Sequence, residues 1–127
     1  VGRWAGQVRR LAPQVVEGKR RRLSERMDEL VSGGGLDAGR LEQEVAILVD
    51  RLDVSEELER LDAHVAHFEA LLAEAGPVGR KLDFLVQEMN RETNTMGSKA
   101  ADARVGRAVV ELKAELERLR EQVQNLE

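Results

Sequence analysis

Apolar residues recur along this chain at steps of three and four, the signature of one buried face on an α-helix. The clearest run is the last one. Val105, Val109, Leu112, Leu116, Leu119, Val123 and Leu126 alternate steps of four and three. With Glu and Arg between them, they predict a helix from about Asp102 to the terminus, three heptads long. Such a stripe fits burial in a bundle or an oligomer interface better than a free coiled coil.

The same reading works backwards along the chain. Val16, Leu23, Met27 and Leu30 give a loose stripe for a first helix from near Pro13 to Val31, with residues 3–12 a helical piece kinked ahead of it. Proline suits a first turn, where its missing N–H has no helical partner. Ser32-Gly33-Gly34-Gly35 then breaks the pattern, since glycine favours helix ends and linkers. It divides the chain into a segment 1–36 and a helical domain 37–127. Asp37 is the expected N-cap of the next helix. Leu41, Val45, Leu48 and Leu52 follow in one phase, and Val54, Leu58, Leu61, Val65, Phe68 and Leu72 in another. Asp53-Val54-Ser55-Glu56 reads as a capping box. Either a new helix starts at Asp53, or one long helix rotates its buried face there. Gly76-Pro77 marks the next turn. Val78, Leu82, Leu85, Met89 and Met96 mark the following helix, with Gly97-Ser98 as the expected break. The fold class is all-α: an antiparallel helical bundle or long helical hairpins.

Composition narrows the functional classes. The 127 residues suffice for one domain. No apolar run approaches the ~20 residues of a membrane helix, and no secretory leader is visible. The absence of cysteine removes disulfides and thiolate metal sites. Trp4, Phe68 and Phe84 are the whole aromatic complement, too few for a base-stacking sheet of the RRM or OB kind. A cytoplasmic helical domain is expected. Net charge is −4, but unevenly spread. Residues 1–40 carry nine Lys/Arg against five Asp/Glu, and residues 41–127 eleven against nineteen. The basic focus is Lys19-Arg20-Arg21-Arg22, either a phosphate-neutralising patch or a solvated helix face.

Two polar lines carry candidate chemistry. Asp53, Glu57, Arg60 and His64 sit at steps of four, three and four, on one side of a helix. Each precedes a member of the apolar series by one place, so the line lies about 100° from the core stripe. Carboxylates beside an imidazole suit a divalent cation or acid/base work, although i,i+3 and i,i+4 ion pairs give the same pattern. The sequence His64 to His67 is not HExxH, which removes a zinc-protease reading. The second line is Asp83, Gln87, Asn90 and Asn94. Asn and Gln are poor choices for a merely solvated helix face, so their clustering points to hydrogen bonding with another helix or a nucleic acid. Thr95-Met96-Gly97-Ser98-Lys99 reads as an interhelical turn or a small phosphate-binding break. It lacks the spacing of a nucleotide P-loop, and no nucleotide cofactor is expected.

The stretches RLEQEVAILVDRLDVSEELERLDAHV (40–65), VGRKLDFLVQEMNRETNTMGSK (78–99) and ELKAELERLREQVQNLE (111–127) resemble the C-terminal region of the YicC/YloC family of bacterial endoribonucleases. The family pattern D-V-x-E-E-L-x-R-L-x-x-H falls on Asp53 to His64. Q-E-x-N-R-E-x-N-T falls on Gln87 to Thr95. The resemblance implies a homo-oligomer, a hexamer in the full-length protein, that cuts RNA with a divalent metal, Mn²⁺ or Mg²⁺. It also implies an N-terminal domain beyond this chain, which starts at Val1 and ends where the family ends.

On that resemblance, Glu57, His64, Glu88 and Glu92 are the expected catalytic residues. Arg60, Asn90, Arg91, Asn94 and Lys99 are the expected RNA contacts, and Asp53, Glu57, His64 and Glu88 the expected metal ligands. Two alternatives stay open: a non-catalytic helical oligomerisation module, or an RNA-binding adaptor working through residues 19–22.

Overall fold

The computed structural model describes residues 2–33, 37–74 and 76–126, all arranged as helices and short links. The elements are α1 (Gly2–Ser32), α2 (Ala38–Leu52), α3 (Ser55–Leu72), α4 (Gly79–Ala100) and α5 (Ala103–Leu126). No strand occurs among the described residues.

The first helix differs from the expected one. It runs unbroken from Gly2 through Pro13. Its buried face is Ala5, Val8, Leu11, Ala12 and Val15, ahead of the expected stripe. Proline inside a helix costs about 3 kcal/mol. Here the apolar turns on both sides of exposed Pro13 share one core with α3, α4 and α5, and that burial outweighs the lost bond. Leu30, taken for a core position, is 48% exposed. The helix ends at Ser32 before Gly33, as glycine at that position predicts; Gly34 and Gly35 lie outside the described residues.

The helix ends follow the sequence in part. Asp37 accepts a bond from the Gly39 N–H at 2.9 Å, as expected of an N-cap. The phase change at residues 52–54 is a true break: α2 ends at Leu52 and α3 begins at Ser55. The N-cap of α3 is Val54, without a side-chain cap bond, so the expected capping box does not form. Asp53, one place earlier, accepts from the Ser55 N–H at 2.9 Å and from its hydroxyl at 2.5 Å, a tight turn leading into the helix. These bonds, the hydroxyl first, hold its carboxyl below the usual aspartate range, with Lys99 nearby adding to the effect. Gly76, at φ +128°, makes the turn before Pro77 and α4, a backbone conformation that glycine adopts without a Cβ clash.

Gly97-Ser98 is not a break. Helix α4 continues to Ala100, and the reversal falls at Ala101, at φ +46°, and Asp102. A Cβ on Gly97 would lie 3.2 Å from Val109 Cγ1. This glycine lets α4 approach α5 closely rather than ending a helix. The real turn is secured from both sides. Asp102 accepts from the Arg104 N–H at 2.8 Å and the Val105 N–H at 3.4 Å, capping α5. Burial raises its carboxyl pKa, but the Arg104 side chain and those two N–H groups together outweigh burial and leave it lowered. Lys19 Nζ donates to the Ala100 and Ala101 carbonyls at 3.1 and 3.0 Å, satisfying groups left unpaired at the end of a helix.

The heptad stripe of α5 is used inside the chain. Val105, Val109, Leu112, Leu116 and Val123 are buried in the common core, with Leu119 against it; α5 packs on α4 and α1. Helix α4 is therefore the centre of the fold, flanked by α3 and α5.

Candidate functional site

The register of α3 on α4 builds the site. Residues further along α3 meet residues earlier on α4: Glu57 pairs with Lys99, Arg60 with Glu92, and His64 stands near Glu88. The two helices run antiparallel, so the two polar lines become one charged seam.

At one end lies Glu57, 3% exposed. Its Oε1 accepts from Lys99 Nζ at 2.8 Å and has Arg60 Nη2 at 3.6 Å. Its Oε2 is buried without a hydrogen-bond partner. Lys99 also donates to the Asp53 carbonyl at 3.0 Å, tying α4 to the α2–α3 break. Next along the seam, Arg60 Nε donates to Glu92 Oε1 at 2.9 Å. The Glu92 carboxylate raises the pKa of Arg60 and keeps it firmly protonated. Glu92 is itself buried. Two buried carboxylates are costly unless paired, and Lys99 and Arg60 supply the pairing.

Beyond Arg60, one ligand atom each of His64, Glu88 and Glu92 lies within 4.8 Å of the others. Glu88 and Glu92 are one helical turn apart on α4, while His64 comes from α3. This is the three-residue group of metal-ligand type found among the described residues. An imidazole nitrogen with two carboxylates suits a divalent cation such as Mn²⁺. The Arg60 bond to Glu92 is the kind of outer contact that orients a ligating carboxylate.

The remaining expected site residues are distributed around this seam. The Asp53 carboxylate faces Ser55 and lies outside the three-residue group. Glu57 is also outside it, linked through Arg60. Arg91 and Asn94 are exposed on α4. Asn90 faces the other way. With Gln87 it lines a groove of about 290 Å³ between α4 and α5, beside Lys113, Glu117 and Arg120. The last three belong to the α5 heptad helix, where a sequence reading sees only the charges flanking a stripe. Of the basic run, Lys19 caps α4, Arg20 and Arg21 pair with Glu17, and Arg22 donates to the Gly18 carbonyl. Thr93, fully buried beside the seam, satisfies its hydroxyl on the Met89 carbonyl at 2.8 Å.

Known proteins resemble this chain over most of its length. The family described as "Endoribonuclease YicC-like, C-terminal" matches residues 8–127. A protein of Clostridioides difficile named "Probable endoribonuclease YicC" is 43% identical over 122 residues, covering 95% of this chain and 42% of its own length. One of the same name from Haemophilus influenzae is 47% identical over 120 residues, covering 94% of this chain and 41% of its own. The chain thus spans about two fifths of the length of these relatives. With the family's matched region running through every element that builds the charged seam, this chain belongs to the YicC-like endoribonuclease family, as its C-terminal domain.

Proposed function

We propose that this helical unit carries the cleavage site of a metal-dependent endoribonuclease, with His64, Glu88 and Glu92 holding a divalent cation, Mn²⁺ or Mg²⁺. The observation that supports it is the convergence of these three side chains, from two helices, to within 4.8 Å. The names of the relatives, probable endoribonucleases, supply the substrate class. A cation there would polarise the scissile phosphate and make water a better nucleophile. The protein's own groups do the rest. Arg60 orients Glu92, and Lys99 neutralises Glu57 and locks the start of α3 to the end of α4. With Arg60 and Lys99 so engaged, the exposed Arg91 and Asn94 are the groups free to hold phosphate and sugar. Asn90 contacts RNA only where the strand crosses to the α4–α5 side. The full protein works on cytoplasmic RNA as a homo-oligomer, a hexamer.

The reading of this chain as an assembly module alone loses its main support. The heptad stripe that suggested it is buried against α1 and α4.

The test is cleavage of an end-labelled single-stranded RNA with Mn²⁺, Mg²⁺ or EDTA, beside Glu88→Gln. Metal-dependent internal cuts are expected in the parent chain and none in E88Q, whose helical circular dichroism stays unchanged. Full activity in E88Q removes Glu88 from the site. A bound cation should also raise the melting temperature of the parent, because it binds only the folded state.

A further inference from the structure

The same antiparallel register assembles a second feature that the charged seam does not use. Phe84, on α4, is 59% exposed. The other phenylalanine, Phe68, is buried in the core. A single exposed apolar residue needs no explanation, but the surroundings of this one are unusual. It forms the wall of a cavity of about 360 Å³ together with His64, His67, Arg80, Lys81 and Leu85. Two imidazoles and two cations ring an aromatic face, and no carboxylate lines the cavity, in a chain of net charge −4. Arg80 and Lys81 form no ion pair among the described residues, as several other surface cations do not, so here it is the aromatic face between them and the histidines that is distinctive.

We propose that Phe84 is a stacking platform for one base of single-stranded RNA, with Arg80, Lys81 and His67 holding the adjoining phosphates. This rests on the reading of the domain as an RNA-cleaving unit and names how it seats its substrate. Sites for single strands combine a basic surface with an aromatic face, because every base offers a π-face and every nucleotide a charge. The cavity has both. His64 belongs to this cavity and to the group with Glu88 and Glu92, so a base on Phe84 lies next to the cleavage site. A second copy of the chain fits the patch less well. An isologous contact centred on Phe84 would set the Arg80 and Lys81 charges of both copies close together.

The experiment measures binding of a fluorescein-labelled single-stranded oligoadenylate by anisotropy, in EDTA to prevent cleavage. Polyphosphate of similar length serves as a charge-only competitor. Phe84→Ala should weaken RNA binding about 5- to 150-fold, the range for losing one base–aromatic stack, and leave polyphosphate binding unchanged. Phe84→Trp should restore RNA affinity, and its added indole fluorescence should quench on RNA binding. Arg80→Gln with Lys81→Gln should weaken both ligands. RNA affinity in F84A equal to the parent's overturns the proposal. So does an unchanged RNA affinity with a fall in sedimenting mass, which would mean that another copy covers Phe84. Thermal stabilisation by Mn²⁺ separates this from the cleavage reading. If the parent gains none while F84A still loses RNA, the cation site fails and the platform stands.

Discussion

Helix α4 has two flanks, and only one of them buries charge. Toward α5 the packing is apolar and close. The buried residues of α5 among those described are Val105, Ala108, Val109, Leu112, Leu116 and Val123, and Gly97 allows contact with Val109. Toward α3 the core is apolar too, with Leu58, Leu61, Phe68 and Leu71, but there the fold also buries Glu57 and Glu92 and pairs them with Lys99 and Arg60. Buried ion pairs contribute little net stability compared with apolar residues of the same size. Both flanks therefore hold the domain through their apolar residues, and the charged pairs on the α3 side add little to that. The α3 flank has a cost that makes sense if the charges serve a ligand. An apolar α3 flank would be the simpler solution for a scaffold.

The contrast yields predictions, the largest first. Leu112→Ala removes a fully buried side chain and should cost about 2–5 kcal/mol. Urea unfolding would show it, and any Mn²⁺-dependent rise in melting temperature should persist at reduced overall stability. On the other flank, Lys99→Met leaves Glu57 buried with only Arg60 at 3.6 Å and should cost about 3 kcal/mol. Adding Glu57→Leu should recover most of that. If the double variant stays as unstable as K99M, the charges are structural and the comparison fails.

The close approach at Gly97 makes a smaller and sharper test. Gly97→Val should destabilise by about 1–3 kcal/mol through overpacking, with partial rescue by Val109→Ala. No rescue would mean that the contact with Val109 is not the limiting one. Smallest is the Asp53 turn ahead of α3. Asp53→Ala loses the two bonds from Ser55 and should cost about 1 kcal/mol at neutral pH. The Asp53 carboxyl has a lowered pKa in the fold. Its contribution is thus present above the ordinary aspartate range and lost as pH falls through the folded value. Thermal melts of parent and D53A should converge in acid. A gap that persists there would assign the effect to something other than the ionised Asp53 carboxylate.

Much of the local structure was legible before folding. The cap at Asp37, the turn at Gly76-Pro77 and the α5 stripe all follow from residue types whose preference is local, while the capping box expected at Asp53 gave way to a turn on Ser55. The phase change after Leu52 was visible, but its meaning was not, because a rotated helix and a broken one give the same spacing. Two readings failed for a common reason. Pro13 and Gly97 are local breakers, and both sit inside continuous helices. Propensity is a weak preference that burial on both sides of a residue overrides. The site divides similarly. The polar lines on α3 and α4 were apparent from spacing, and the resemblance to the family named their residues. Which members meet was not apparent, nor that Asn90 faces α5 and Lys19 caps α4. The three aromatics argued against a base-stacking sheet. Arg80 and Lys81 stand four and three residues before Phe84 on the same helix, a local spacing, whereas His64 and His67 join them only through the register of α3 on α4.

The sequence by itself determined five helices' worth of amphipathic pattern, most of their ends, the absence of thiol chemistry, and two lines of polar residues of metal- and RNA-binding type. These are properties of neighbours one to four residues apart, which periodicity and capping chemistry express directly. Only the tertiary structure decided the register of α3 on α4. That register joins His64 to Glu88 and Glu92, buries Glu57 against Lys99, and brings His64 and His67 beside Phe84. An antiparallel register depends on how two apolar faces pack over their whole length, with the core supplied by α1 and α5, and no local pattern encodes it.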